Sequence, residues 1–200
     1  RRPPRSTLFP YTTLFRSYEE LADYKKAIKY FDESIKLDQN SWDYFYSRGN
    51  SHFSLGNYRK ALSDFKSAII LYKDYADLWY ARAETEVALG KTEEALKSYQ
   101  KVLSIDPEDY EAWYDYGNLL SSINKYDLAA DALYKSIKAN QYWAEPYFEL
   151  SKIYFLTEET EKGIDMLEKG FEINPVEKFE YNFKEDWKKV LEFLIFRKSL

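Results

Sequence analysis

Apolar and polar positions recur at helical spacing along this chain, and the whole pattern repeats every 34 residues. A small residue recurs with this period at Ala61, Ala95, Ala129 and Gly163, and Ala27 extends the series toward the N-terminus. Four positions after each of them stands an aromatic residue or leucine. A fixed period of this length predicts stacked helical hairpins, because one hairpin is too small to bury its own apolar face.

The periodicity divides the chain into units of helix, tight turn and helix. We predict a partial first unit, four complete units and a C-terminal capping helix, at 18–41, at 42–75, 76–109, 110–143 and 144–177, and at 178–200. The turns contain Gly, Asn or, at Glu158, a residue less suited to ending a helix. Phe193, Ile195 and Phe196 widen the apolar stripe of the last helix. That helix is a cap, a partner contact or the start of a longer chain, and the pattern leaves these three open.

Each unit carries the same set of aromatic, small and closing positions. The clearest of them are Phe45, Gly49, Ala61, Phe65, Ala68, Trp79, Ala83, Ala95, Tyr99, Pro107, Trp113, Gly117, Ala129, Tyr147, Leu150, Tyr154 and Pro175. This set resembles the tetratricopeptide repeat over about residues 18–177. Arg48 and Arg82 depart from it by standing where the family usually has leucine, and Gly163 and Gly170 loosen the last unit.

The resemblance implies an all-α fold, an α-solenoid in which helix pairs form a right-handed superhelix. It also implies that the first helices line a concave face, where members of the family bind peptides or partner proteins as scaffolds and adaptors. On this register we predict the following peptide-binding residues: Asp43, Tyr46, Asn50, Phe53, Asp77, Tyr80, Glu84, Glu111, Tyr114, Asn118, Phe148 and Lys152. The same face includes Val87, Ser121, Glu145 and Phe155.

These positions form an acidic, an aromatic and a mostly polar column. Tyrosine offers apolar area with a hydrogen-bonding tip, and asparagine can pair with an extended peptide backbone. The acidic column has a second explanation that stays open, because a carboxylate near a helix N-terminus also stabilises the helix dipole. The acidic residues disfavour a clamp for the acidic tails of chaperones, since like charges repel. A neutral or basic extended segment is the predicted partner.

Residues 1–17 differ from everything that follows. They contain four Arg, three Pro and no acidic residue, and they lack helical or strand periodicity. They resemble the translation of a sequencing-adaptor oligonucleotide, so we predict an adaptor-derived, non-native segment; the alternative is an Arg-rich targeting arm. On the adaptor interpretation the native N-terminus, with any signal peptide or upstream domain, is missing.

Charge and residue chemistry narrow the class of function. The net charge is −5, and −9 without residues 1–17, which argues against nucleic acid and anionic membranes as partners. With no Cys and a single His, His52, no catalytic, cofactor or metal site is predicted, and we expect a protein that is not an enzyme. The alternative is an accessory interaction segment of a larger enzyme or sensor. The cytoplasm is the favoured location, with the periplasm also open, and self-association through the last helix is a further option.

Overall fold

The computed structural model describes residues 23–175, and the predicted adaptor segment and capping helix lie outside this part. The described residues form nine α-helices. In chain order they are α1 (Tyr24–Leu37), α2 (Trp42–Ser54), α3 (Tyr58–Leu71), α4 (Ala76–Ala88), α5 (Thr92–Ile105), α6 (Tyr110–Ser122), α7 (Tyr126–Ala139), α8 (Glu145–Leu156) and α9 (Thr160–Ile173).

The described residues fall into two compact units, unit 1 up to Pro107 and unit 2 from Glu108 onward. In unit 1, α2 pairs with α3 and α4 pairs with α5, while α1 packs on α2 and α3 packs on α4. In unit 2, α6 pairs with α7, α8 pairs with α9, and α7 packs on α8. The first helices of neighbouring hairpins also touch within each unit, α2 with α4 and α6 with α8. Each unit therefore has one face built from two adjacent first helices.

Small side chains set how closely the paired helices approach. Ala61, Ala95 and Ala129 are fully buried, as the 34-residue period predicts. In the first complete hairpin, a Cβ added to Gly49 would lie 2.6 Å from the ring of Phe65, so the glycine leaves room for that ring. A larger residue at these positions would push the two helices apart, because protein interiors are packed without spare volume.

Two residues after the end of the first helix of each complete hairpin stands a residue with positive φ. Gly56, Gly90, Asn124 and Glu158 occupy this position, with φ between 59° and 73°. In each turn the next N–H donates to a carbonyl five residues earlier, as in the bond from Lys91 to Glu86 at 2.8 Å. Glycine and asparagine adopt this conformation readily, whereas the Cβ of a glutamate makes it strained.

The two arginines that stand where the family usually has leucine form partly buried ion pairs. The Arg48 guanidinium on α2 donates to both carboxylate oxygens of Asp64 on α3, at 2.9 and 2.6 Å. Its third bond goes to Asp32 on α1 at 2.6 Å. The hydrogen bonds with Asp64 raise the pKa of Arg48. One arginine thus joins three consecutive helices.

In the next hairpin, Arg82 stands at the repeat position equivalent to Arg48 but pairs with a carboxylate at a different position. Arg82 donates to Glu86 on its own helix at 2.8 Å, and Ser98 on α5 donates to the other Glu86 oxygen at 2.6 Å. The Glu86 side chain is only 1% exposed, so its charge depends on these two partners.

Candidate functional site

The predicted acidic column lies at the start of the first helices. Asp43, Asp77, Glu111 and Glu145 occupy the first turns of α2, α4, α6 and α8. The first three are exposed and Glu145 is half-buried. A carboxylate at this position can stabilise the helix dipole or attract a positively charged ligand, so its position does not distinguish helix stabilisation from ligand binding.

The aromatic positions of unit 1 are half-buried. The ring of Tyr46 lies 6.0 Å from Phe65, and the ring of Tyr80 meets Tyr99 edge-on at 5.7 Å. Phe53 packs edge-on against Tyr58 at 5.2 Å. These rings therefore pack against second-helix residues and keep part of their surface exposed. The polar column beside them is half-buried at Asn50 and exposed at Glu84 and Val87.

In unit 2 the predicted residues form a polar and aromatic group. Burial raises the pKa of Tyr114, and a hydrogen bond with Asn118 partly offsets that effect. The charges of Glu149 and Lys152 also act on the Tyr114 hydroxyl, and these two residues form an ion pair at 2.6 Å. The structure thus brings together Tyr114, Asn118 and Lys152 as the register predicts, with Ser121 half-buried on the same helix.

Phe148 departs from the prediction. Its side chain is 3% exposed and packs with Ile164 and Leu167 in the core of the last hairpin. The cause is Gly170 on α9, where an added Cβ would lie 2.5 Å from the Phe148 ring. The missing side chain lets the ring turn inward, so Phe148 is a core residue and not a binding residue. Phe155, half-buried, fills a similar space beside Gly163.

Sequence reasoning missed a surface cluster of rings in unit 1. We call Trp42, Tyr72 and Tyr75 the unit 1 aromatic cluster. Trp42 stacks on Tyr72 at 5.4 Å and contacts Tyr75 at 5.2 Å, and the two tyrosines are 6.2 Å apart. Tyr46 joins the edge of the cluster at 6.4 Å from Trp42. A hydrogen bond with Asp77 raises the pKa of Tyr75 to about 12. The predicted acidic column therefore meets aromatic surface here.

Unit 2 repeats this arrangement with different residues. In the unit 2 aromatic cluster, Trp143 contacts Tyr110 at 5.2 Å and Tyr114 at 4.6 Å. These three residues stand 68 residues after Tyr75, Trp42 and Tyr46, which is two repeats. This doubled period was the signal available in the sequence, because the hairpin between them keeps the aromatic residue at Tyr80 but has Ala76 and Asp109 at the other two positions.

No group of three or more His, Cys, Asp or Glu side chains that could hold a metal ion occurs in residues 23–175. His52 is buried, which lowers its pKa although Asp64 opposes the shift, and its Nδ1 atom has no hydrogen-bond partner. Across the same described range, every helix is too short or too polar to cross a membrane.

Comparisons with known proteins agree with this architecture. A family model described as tetratricopeptide repeat matches residues 12–76, 46–106 and 80–142, and a second model of the same description matches residues 144–177. A comparison of the sequence with curated proteins finds no significant match.

Several solved structures are similar to the chain. A crystal structure of MamA has a TM-score of 0.78 at 18% identity, covering 84% of this chain and 97% of MamA. YrrB, described as a TPR protein with an unusual peptide-binding site, has a TM-score of 0.73 at 22% identity, covering 85% and 88%. TTC0263 from Thermus thermophilus, described as a thermophilic TPR protein, has a TM-score of 0.62 at 18% identity, covering 85% and 93%. These likenesses confirm the predicted fold class, an all-α solenoid of helical hairpins.

Proposed function

Because this chain belongs to the tetratricopeptide repeat family, we propose that it is a non-catalytic scaffold whose first-helix faces bind an extended, neutral or basic segment of a partner protein. The observation that carries the proposal is the exposure of Asp43, Asp77 and Glu111 beside half-buried tyrosines. Carboxylates along such a face attract basic side chains, and the rings supply apolar contact area.

Unit 1 has the richer surface for this role. Helix α2 carries Asp43 and Tyr46, and the adjacent helix α4 carries Asp77 and Tyr80. Each tyrosine ring packs against an aromatic residue of the second helix of its own hairpin. Half-buried rings lose little conformational freedom on binding, because packing already holds them in place. The entropic cost of binding then falls mainly on ordering the chain of the ligand.

Similarity to YrrB, a TPR protein with an unusual peptide-binding site, supports this assignment at 22% identity. The acidic faces favour a neutral or basic ligand, whereas a chaperone clamp binds acidic tails, which these faces would repel. Protein partners, rather than nucleic acid or membranes, also fit a net charge of −5.

The test begins with peptides selected by panning a random phage library on the immobilised chain. We expect the enriched sequences to carry net positive charge. Binding of a selected synthetic peptide should weaken about tenfold in the triple variant Asp43→Asn, Asp77→Asn, Glu111→Gln, since each exposed charge pair contributes about 0.5 kcal/mol.

A matched control separates ligand binding from helix stabilisation. Glu93 and Glu94 are exposed acids in the first turn of α5, a second helix. Their change to Gln removes a similar interaction with the helix dipole but leaves the first-helix face intact. Equal loss of binding in the control and the triple variant, or enrichment of acidic peptides, would contradict the proposed function.

A further inference from the structure

The unit 1 aromatic cluster leaves much of its ring surface open. Tyr72 is 45% exposed and Tyr75 is 36% exposed, and both lie in the loop between α3 and α4. Trp42, from the start of α2, contacts both rings. Trp42 also packs against the buried residues Ala68, Ile69 and Leu78, so it anchors the cluster and the open ring surface is mainly that of the two tyrosines. The ring faces carry negative charge density from the π electrons.

Carboxylates stand beside this surface. Asp77, exposed two residues after Tyr75, acts on the Tyr75 hydroxyl and raises its pKa, and Asp43 follows Trp42 directly in the chain and is exposed. The opposite charges of Lys73 and Asp74 in the loop largely offset each other. The combination of ring faces and net acidic charge attracts cations and repels anions.

The chain shows how it treats such rings elsewhere. The Arg48 guanidinium lies 5.7 Å from the ring centroid of Phe45, and that of Arg82 lies 5.3 Å from Trp79. Lysines do the same, with the Lys135 ammonium 4.2 Å from the ring centroid of Trp113. Within residues 23–175, by contrast, no Lys or Arg is placed over Trp42, Tyr72 or Tyr75. The exposed parts of Tyr72 and Tyr75 are therefore open to a cation from another molecule.

We propose that the unit 1 aromatic cluster is a recognition site for an arginine side chain of the partner segment. The inference rests on the proposed function and adds the ligand chemistry. Arginine fits better than lysine, because a planar guanidinium stacks on ring faces while its N–H groups pair with a neighbouring carboxylate. Asp77 is the carboxylate that stands at the edge of Tyr75.

Unit 2 provides an internal comparison. Its aromatic cluster shares two ring positions with that of unit 1, but Asn140 stands where unit 1 has Tyr72. The carboxylate of Glu149, which acts on the Tyr114 hydroxyl, is already paired with Lys152 at 2.6 Å, so it attracts a second cation less strongly. We therefore expect weaker arginine binding at Trp143 than at Trp42.

The direct test titrates N-acetyl-arginine amide into the chain and follows the indole N–H resonances of Trp42 and Trp143 by NMR, assigned with Trp42→Phe and Trp143→Phe. The Trp42 resonance should shift and saturate, at a lower concentration than that of Trp143. The double variant Tyr72→Leu, Tyr75→Leu keeps the side-chain bulk apolar and removes the phenol rings. Its dissociation constant at Trp42 should rise about fivefold.

Controls on both sides make the outcome decisive. Tyr142→Leu replaces a 79% exposed tyrosine in a unit 2 loop and should leave Trp42 binding unchanged. N-acetyl-lysine amide should bind at least about twofold more weakly, and N-acetyl-leucine amide and N-acetyl-glutamate amide should give no saturating shift. Equal binding of the lysine or leucine probe, or full binding by the double variant, would overturn the assignment to arginine.

The two proposals fail in different ways. Suppose that the triple acidic variant no longer binds the selected peptides and that N-acetyl-arginine amide does not shift the Trp42 indole N–H resonance. The first-helix face then binds peptides, and the proposal for the aromatic cluster is wrong. If the probe binds at Trp42 and the triple acidic variant keeps its peptides, the cluster is a site and the proposed face is wrong.

Discussion

Replacing Arg82 with leucine, the residue usual in the family, should destabilise this protein. The substitution removes the ion pair with Glu86 at 2.8 Å and leaves a carboxylate that is 1% exposed. Removing one partner of a buried pair costs about 3–5 kcal/mol, because the other charge stays buried without compensation. Arg82 is 23% exposed and Ser98 still donates to Glu86, so we expect the lower end, about 3 kcal/mol.

The compensating variant shows whether the charge is the cause. In Arg82→Leu, Glu86→Leu, Ser98→Ala, all three polar groups of the network are replaced together. Apolar replacements of a buried pair are often neutral or stabilising, and Ser98→Ala prevents an unsatisfied hydroxyl at a position that is 1% exposed. We expect its free energy of unfolding to lie within about 1 kcal/mol of the starting protein.

Urea denaturation followed by far-UV circular dichroism at about pH 7 measures these effects. The chain's repeat structure makes a second probe necessary, because hairpins can unfold separately, so tryptophan fluorescence should be recorded on the same samples. An Arg82→Leu variant as stable as the starting protein, or a triple apolar variant as unstable as Arg82→Leu, would refute this account of the ion pair.

Three further changes probe other positions by urea denaturation. Burial lowers the pKa of His52, so the folded state prefers the neutral ring; stability should fall as pH drops from about 6.5 through the lowered pKa, and His52→Leu should flatten that slope. Glu158→Gly should stabilise by about 1 kcal/mol, because φ is 63° there, and an unchanged midpoint would contradict strain in the turn. Gly49→Ala should destabilise by about 1–3 kcal/mol, since its Cβ would meet the Phe65 ring at 2.6 Å, and unchanged stability would show that the ring moves aside.

The fold was accessible from the sequence because its strongest constraint is local and repeated. Ala95 and its equivalents must be small wherever two helices cross, so one position identifies the hairpin in every repeat. The burial of Phe148 was not accessible in this way. It depends on Gly170 in the paired helix, which has no side chain and so leaves space for the Phe148 ring. A prediction made from the repeat positions of one helix at a time does not detect such a pair.

The polar interior was only partly predictable. Arg48 and Arg82 stand out as departures from leucine, but their acidic partners occupy different places in the repeat. Asp64 lies on the second helix, whereas Glu86 lies one turn along the first helix and Ser98 takes the place equivalent to Asp64. The arginine keeps its repeat position in both hairpins, but its acidic partner does not. A comparison of equivalent repeat positions therefore does not identify which carboxylate pairs with each arginine.

The half-buried tyrosines combine packing with recognition, and the choice of substitution decides which property is tested. Tyr114 contacts Trp143 at 4.6 Å and shares a hydrogen bond with Asn118. Tyr114→Ala removes the ring and should cost about 3 kcal/mol, so lost binding in that variant would also report lost structure. Tyr114→Phe keeps the ring and should cost no more than about 1 kcal/mol. A Tyr114→Phe protein that unfolds as readily as Tyr114→Ala would contradict this division, whereas a stable one that binds selected peptides weakly assigns the hydroxyl to recognition.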